Sequence, residues 1–194
     1  MEGNDYSVIT SRFVKIKKDR IRQWDIFKCE EFSYWWNKFR FPYIFVLSQD
    51  CDLAQDYINY TEESSDDDKI IESILICPMF NLEDLLSGNH INIEKDTWDI
   101  IIKKMWVIKW DIKQNLKKNL LDRYFSIKSF SDDEIIIPDL VMDFKFFMTI
   151  SRDVMYSKYT ENYVCSVSEL FREKISIKFA NYLSRIWLPE LKEE

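Results

Sequence analysis

An uninterrupted apolar run, Phe41 to Leu47, constrains the fold of this chain more than any other segment. A run of this length with no polar face is typical of a strand that is buried on both sides of a sheet. The stretch Arg22–Cys29 alternates in the manner of a strand, and Ile74–Pro78 is a third strand candidate. We expect this third strand to end at Pro78, because proline cannot donate a ladder hydrogen bond. The first third of the chain is therefore predicted to be β-structure.

The remainder of the chain mixes helical and strand patterns. Helices are predicted between Asn81 and Leu121, one of them from Asp96 to Met105, where apolar residues recur at helical spacing. A final helix is predicted to have Ser166 as its N-cap, with Glu169 completing a capping box, and to end at Pro189. Further strands are expected at Arg123–Lys128, Glu134–Ile137 and Leu140–Ile150. The pattern predicts an α+β fold built on a partly open β-barrel, with inserted helices and a packed C-terminal helix.

We interpret the 194 residues as a single domain, 1–194, because the length suits one domain. The acidic stretch 61–69 has too little to bury and is predicted to be a solvated loop. The predicted parts of the domain are a β core at about 20–80 and 122–150, a helical insertion at about 81–121 and a C-terminal helix at about 166–188.

Composition excludes several classes of function. Only 2 glycines are present, so glycine-rich phosphate loops and dinucleotide fingerprints are excluded. The net charge of -7 argues against a protein that coats a nucleic-acid backbone. The four cysteines form no close pair of the kind that zinc modules and redox motifs use, and we interpret them as reduced thiols. We predict no cofactor, no bound metal and no membrane segment, and we expect a cytoplasmic location.

The segment Ser48–Asp52 follows the apolar run directly and is the main candidate site. If the strand continued, Ser48, Asp50 and Asp52 would share one face, with Gln49 and Cys51 on the other. This arrangement would place a thiol beside carboxylates, or two carboxylates beside a metal. The alternative interpretation is structural, with polar side chains shaping a turn and Cys51 packing as a small buried residue.

Other candidate residues lie outside this segment. Trp35, Trp36 and Arg40 combine aromatic rings with positive charge, which suits either single-stranded nucleic acid or a protein partner. Oxygen ligands for Mg²⁺ are available from four aspartates, although nothing in the sequence brings them together. These aspartates are Asp50, Asp52, Asp139 and Asp143. The single histidine, His90, is predicted to lie on an exposed loop.

Three segments, in this order along the chain, resemble the PemK/MazF/Kid-like toxin barrels. They are Trp24-Asp25-Ile26, Phe41-Pro42 leading into Ile44–Ser48, and Ile74–Pro78. In the toxins the corresponding segments are Gly-Asp-Ile, Arg-Pro-Ala with apolar residues and Ser, and Val-Ala-Pro. The resemblance covers about Arg22 to Leu82. It implies a small SH3-like β-barrel that binds and cuts RNA, often as a homodimer.

Three positions depart from the toxin pattern. Trp24 replaces the glycine, Phe41 separates Arg40 from Pro42, and no arginine follows Pro78, where the toxins commonly place a catalytic one. A metal-independent ribonuclease needs a cation to stabilise the charged phosphorane and an acid or base to move protons. The resemblance therefore implies the fold more strongly than the catalysis.

A second resemblance covers most of the chain, roughly Arg22 to Pro189. Ser48-Gln-Asp-Cys-Asp52 and the closing Arg185-Ile-Trp-Leu-Pro189 are similar to a group of bacterial proteins with an SQxCD signature and a helix ending in R-I/V-x-L-P. That group has no established activity, so this resemblance implies no chemistry.

The function expected from these observations is that of a cytosolic binding or regulatory module of a bacterial mobile-element or phage-defence system. Its partner would be a protein, RNA or DNA, bound at Ser48–Asp52 with help from Arg40, Arg123 and Asp143. The alternative is a toxin-like endoribonuclease. In that case Arg40 or Arg123 would stabilise phosphate charge, and Asp50 or Asp52 would transfer the proton.

Overall fold

The computed structural model of the chain describes residues 13–15, 20–29, 32–34, 37–62, 67–94, 100–103 and 110–184. Its strands, in chain order, are β1 (Phe13–Val14), β2 (Asp25–Lys28), β3 (Phe32–Tyr34), β4 (Asn37–Arg40), β5 (Tyr43–Val46), β6 (Ser73–Asn81), β7 (Ile91–Glu94), β8 (Ile100–Lys103), β9 (Tyr124–Ile127), β10 (Phe130–Ser131), β11 (Ile136–Ile137), β12 (Leu140–Asp143), β13 (Met148–Ser151) and β14 (Tyr163–Val167). The α-helices are α1 (Asp50–Glu62), α2 (Leu82–Ser87), α3 (Trp110–Lys117), α4 (Arg152–Val154) and α5 (Glu169–Leu183). Short 3-10 turns cover Asp67–Lys69, Phe144–Phe146 and Thr160–Asn162, and Met155–Tyr159 forms a π-helical turn.

The main sheet is antiparallel and curls into a half-barrel. Within the described ranges it has 8 strands in the order β1-β14-β2-β5-β6-β12-β9, with β13 also paired to β6. Residues from both edge strands, Phe13 on β1 and Phe125 on β9, line one small cavity together with Phe171 and Ile175 of α5. The C-terminal helix therefore covers the gap between the two edges, and the chain has the mixed α+β architecture that the sequence predicts.

The apolar run Phe41–Leu47 is buried on both faces of this sheet, as predicted. Ile44 and Val46 pack in one hydrophobic cluster, and Phe45 and Leu47 pack in the other. The period of two along a strand sends successive side chains to opposite faces, so an alternating pattern would leave one face exposed. All four side chains are buried.

A second antiparallel sheet has the order β3-β4-β7-β8. Its strands β7 and β8 lie within the predicted helical insertion, so the described part of residues 81–121 contains both helices and strands. The helix predicted from Asp96 to Met105 is wrong where the chain is described, because Ile100–Lys103 is a strand paired with β7. Three consecutive β-branched isoleucines favour the extended conformation over the helix.

The strand predicted to end at Pro78 continues to Asn81. On one side Pro78 pairs with Ile44 of β5. On the other side β6 changes partners at this point, with Met79 paired to β12 and Ile76 paired to β13. Pro78 itself has no strand partner on that side, a position in a sheet where a missing N–H is tolerated.

The C-terminal helix begins later than the sequence predicts. Ser166 lies in β14, where its hydroxyl donates a hydrogen bond to buried Asp25, and Ser168 occupies the N-cap. The predicted capping box of Ser166 and Glu169 is therefore wrong, because the sheet uses the serine instead. The helix ends at Leu183, and the predicted end at Pro189 lies outside the described residues.

Candidate functional site

The segment Ser48–Asp52 is the point where β5 ends and α1 begins. The backbone N–H groups of Leu47 and Ser48 donate to the carbonyl of Leu75, at 2.8 and 3.3 Å. The Ser48 hydroxyl accepts a hydrogen bond from the Leu75 N–H at 2.8 Å. Ser48 thus extends the contact between β5 and β6 by one residue before the chain turns into the helix.

The predicted strand alternation of Ser48, Asp50 and Asp52 is wrong, because the helix starts at Asp50. The N–H of Leu53 donates to the carbonyl of Gln49, which closes the first helical turn. Asp50 and Asp52 both lie in this turn. Carboxylates are favourable there because the helix dipole is positive at its N-terminal end.

Asp50 is held by Arg20 in a bidentate ion pair. Nη1 of Arg20 lies 3.0 Å from Oδ1 and Nη2 lies 2.8 Å from Oδ2, and the N–H of Gln23 also donates to Oδ1. The hydrogen bonds from Arg20 lower the pKa of Asp50, against the opposing effect of its partial burial. A carboxylate with a lowered pKa and two charged hydrogen bonds is a weak general base, so Asp50 anchors the helix.

Cys51 is exposed, contrary to the prediction that it packs in the core. The helix turns this side chain away from the sheet, whereas the predicted strand would have pointed it inward. Its Sγ lies 3.4 Å from Oδ1 of Asp52 and 3.6 Å from Oε1 of Gln49. Both neighbours are oxygen acceptors and neither supplies the positive charge that stabilises a thiolate nucleophile.

Beside this turn lies a cleft of about 560 Å³, which we call the Ser48 cleft. Its polar lining is rich in amides and carboxylates and comprises Gln23, Ser48, Gln49, Asp52, Gln55, Asp68, Lys69 and Ser176. Its apolar lining comprises Trp24, Leu47, Ile70, Ile71, Leu75, Phe179, Ala180 and Leu183. Leu183, at the end of α5, is 54% exposed. The cleft has a volume in the range of small-molecule and peptide-side-chain sites and presents both hydrogen-bonding groups and uncovered apolar surface.

The other predicted site residues lie elsewhere. Nε and Nη2 of Arg123 donate to the two carboxylate oxygens of Asp143 at 2.7 and 2.6 Å, and Asp143 is fully buried. These bonds raise the pKa of Arg123. Asp139 accepts a hydrogen bond from the Ser129 N–H and lines a separate groove with Glu83.

The four aspartates considered for Mg²⁺ are not assembled into one site in the described structure. Asp50 is paired with Arg20 and Asp143 with Arg123. Within the described ranges, no three His, Cys, Asp or Glu side chains are placed to hold a metal ion. Trp35, Trp36 and the side chain of Arg40 lie outside the described parts of the chain.

Sequence reasoning missed a buried polar cluster around Asp56 of α1. Oδ1 of Asp56 accepts from the Ile71 N–H at 2.9 Å and from Arg152 at 3.2 Å, and Oδ2 accepts from the Tyr156 hydroxyl at 3.3 Å. Burial and the Asp56 charge raise the pKa of Tyr156. The tyrosine ring stacks on Tyr60, with centroids 4.9 Å apart. These partners are distant in the sequence, so no local motif predicts this cluster.

His90 is buried, contrary to the prediction of an exposed loop histidine. Only 7% of its surface is exposed. The imidazole makes T-shaped contacts with Phe80 and Phe146, whose ring centroids lie 4.8 and 6.4 Å from its own. Burial lowers the pKa of His90, with smaller opposing effects from Asp143 and Asp84. The imidazole is therefore neutral at neutral pH.

Fold and site together define an α+β protein with a curled antiparallel half-barrel and a mixed polar and apolar cleft where β5 meets α1. No protein-family model, no curated protein and no solved structure matches the chain. Among the described residues there is no helix of the length and apolarity needed to cross a bilayer.

Proposed function

We propose that this protein is a binding module that takes up a segment of a partner protein in the Ser48 cleft. The observation that supports this proposal is the composition of the cleft lining. The side-chain amides of Gln49 and Gln55 can exchange hydrogen bonds with a peptide backbone, while Leu183 and its apolar neighbours can cover apolar side chains. Uncovered apolar surface beside fixed polar groups is typical of protein interaction sites.

The charge of the cleft favours a protein partner with basic side chains over a nucleic acid. Asp52 and Asp68 are exposed carboxylates in the lining, opposed by the single cation Lys69. The whole chain has a net charge of -7. Nucleic-acid affinity depends mainly on cations that neutralise the phosphates. The carboxylates of the cleft would instead repel the phosphates. A lysine or arginine of a partner would instead pair with Asp52.

A peptide-display selection against the full chain tests this proposal. Wild-type protein would be panned with a random peptide library, and the affinities of the selected peptides would be measured for Asp52→Lys and for Asp133→Lys. Asp133 is an exposed aspartate outside the cleft, so its variant changes the net charge equally. We expect the peptides to be enriched in lysine and arginine, and to bind Asp52→Lys at least about tenfold more weakly while binding Asp133→Lys normally. Equal binding to both variants would contradict the proposal.

The biological setting that we propose is regulation within a bacterial mobile-element or phage-defence system. It rests on the resemblance to the toxin barrels and to the SQxCD group. The genes beside this one test it, since a regulatory module of such a system is expected to be encoded next to its partner.

A toxin-like ribonuclease is the second candidate, and one observation favours it. The three segments that resemble the toxins lie on or beside β2, β5 and β6, which are neighbours in the curled sheet. Trp24, which replaces the toxin glycine, has a φ of 73°, in the left-handed region that glycine favours. An SH3-like barrel of the toxin kind is therefore our proposal for the finer fold.

The catalytic part of this second candidate has less support. Arg123 is paired with buried Asp143, and Asp50 is held by Arg20. Incubation with single-stranded RNA, with and without Mg²⁺, tests the activity. Cleavage that is lost in Asp52→Asn would establish the ribonuclease, and intact RNA under both conditions would exclude it.

A further inference from the structure

His90 is a buried titratable side chain that the proposed function does not use. Neither Nδ1 nor Nε2 has a hydrogen-bond partner among the described residues. Its described aromatic neighbours, Phe80 and Phe146, have no polar side-chain atom, so they form no conventional hydrogen bond with the imidazole. Buried polar atoms are almost always paired in folded proteins, so both imidazole nitrogens keep an unused capacity for a hydrogen bond.

His90 also lines a second cleft, of about 630 Å³, which we call the His90 cleft. The other residues at its surface that are not fully buried are Lys28, Pro42, Tyr43, Asn81, Asp84 and Pro138. None of these residues lines the Ser48 cleft, so the two sites are separate. The volume lies within the range of sites for small molecules.

We propose that the His90 cleft binds a small, uncharged heteroaromatic molecule and that His90 donates or accepts the hydrogen bond that fixes it. The flat surfaces of Pro42, Tyr43 and Pro138 suit a planar ring. Lys28 and Asp84 carry opposite charges, so the rim of the cleft selects neither an anion nor a cation.

The environment of the imidazole supports an uncharged ligand. Burial lowers the pKa of His90, so the ring is neutral and has one donor nitrogen and one acceptor nitrogen. A charged ligand group would lose its hydration beside the buried imidazole, and the charges that act on His90 are of both signs, so they favour neither an anion nor a cation. Both nitrogens are covered by protein in the structure, so this hydrogen bond requires the imidazole to rotate toward the cleft.

Nuclear magnetic resonance on the full chain tests this proposal directly, because His90 is the only histidine. Long-range proton–nitrogen spectra then contain the signals of one imidazole, and they report its tautomer and hydrogen bonding. The probes would be adenine, cytosine, nicotinamide and indole, with benzoate and benzylammonium as charged comparators. We expect at least one uncharged probe to shift the His90 nitrogen signals together with the amide signals of Lys28 and Tyr43.

The matched variant is His90→Phe, which keeps a buried ring and removes both nitrogens. We expect it to bind the active probe at least about tenfold more weakly, the loss expected for one buried hydrogen bond. Asp52→Asn, in the other cleft, should bind it normally. If His90→Phe fails to fold, Asn81→Ala at the cleft rim replaces it and should also weaken binding.

Two results would overturn the proposal. One is the absence of any shift of the His90 nitrogens with all four uncharged probes at millimolar concentration. The other is tighter binding of either charged comparator than of every uncharged ring. Neither result concerns the Ser48 cleft, so neither would contradict the proposed function.

Discussion

At the scale of single residues, exposure distinguishes Cys51 from the other three cysteines. Cys29, Cys77 and Cys165 are buried, and burial together with the charge of Asp25 raises the pKa of Cys165 to about 12. Cys51 alone is exposed among the four, all of which the structure describes. Access to reagent therefore differs sharply between one thiol and the rest.

We expect N-ethylmaleimide to modify the native protein once, at Cys51. Cys51→Ala should change the free energy of unfolding by less than about 0.5 kcal/mol, because the side chain packs against nothing in the core. Cys77→Ala, as a buried control, should cost about 1 kcal/mol. Mass spectrometry of the peptides and urea unfolding check these values, and rapid labelling of Cys77 in the native state would contradict the burial of that thiol.

The two bidentate arginine pairs differ in the burial of their carboxylates. Asp143 is fully buried, whereas the side chain of Asp50 is 49% exposed. Arg123→Met would leave an unpaired buried charge and should cost about 3 kcal/mol of unfolding free energy. Arg20→Met should cost about 1 kcal/mol, since water can solvate Asp50. Urea unfolding of both variants measures the difference, and equal losses would show that carboxylate burial is not the deciding factor.

At the scale of secondary-structure elements, the turn that leads into β2 depends on the backbone of Trp24. Its φ of 73° is costly for any residue with a Cβ. The indole compensates by packing against Phe45, with ring centroids 5.7 Å apart.

Replacing Trp24 with glycine and with alanine separates these two effects. Both variants lose the aromatic packing, which should destabilise the protein by about 3 kcal/mol or more. Trp24→Gly should remain about 1 kcal/mol more stable than Trp24→Ala, because glycine adopts the left-handed conformation without steric cost. Thermal or urea unfolding of the pair gives the difference. A more stable alanine variant would contradict the positive φ.

Some elements were predictable from local pattern and others were not. The burial of Phe41–Leu47 could be predicted from its uninterrupted apolar run. Helix α2 ends at Gly88 in the left-handed region, with a φ of 77°, a position that glycine favours. Helix α1 gave no such signal, because two of its inward residues, Asp56 and Asn59, are polar. Polar residues at inward positions remove the apolar period that indicates a helix, and the partners of Asp56 come from distant parts of the chain.

The sequence singled out the segment Ser48–Asp52 as a candidate site, but not the geometry of that segment. Three of its five residues, Ser48, Gln49 and Asp52, line a cleft. The orientation of Cys51 and the pairing of Asp50 depended on whether the chain continued as a strand or turned into a helix. Arg20, which settles the role of Asp50, is 30 residues away in the sequence.

At the scale of the whole molecule, α1 is fixed to the half-barrel at two points. Asp50 is held by Arg20 and Gln23, and Asp56 is held by Ile71, Arg152 and Tyr156. The opposite wall of the Ser48 cleft belongs to α5, whose Phe179 packs on Phe144 of the core. A cleft with two anchored walls needs little ordering when a partner binds, which favours affinity.

Global stability should depend on pH through His90. Its pKa is ordinary, about 6.5, in the unfolded chain and lower in the folded protein. The contribution of His90 to the free energy of unfolding is therefore fully present above pH 6.5. It falls as the pH drops below that value, because the unfolded chain takes up the proton first. Urea unfolding between pH 7.5 and 5 measures the loss, and His90→Phe should remove it. An identical pH dependence in this variant would assign the effect to other groups.

The rate at which N-ethylmaleimide modifies Cys51 reports whether a partner occupies the Ser48 cleft. Cys51 lies beside the cleft residues Gln49 and Asp52, so a bound peptide should cover its thiol. We predict that a peptide selected on the wild-type protein slows this alkylation at least about tenfold at saturation and leaves the rate unchanged in Asp52→Lys, where it does not bind. An alkylation rate of the wild-type protein that is the same with and without saturating peptide would contradict the account.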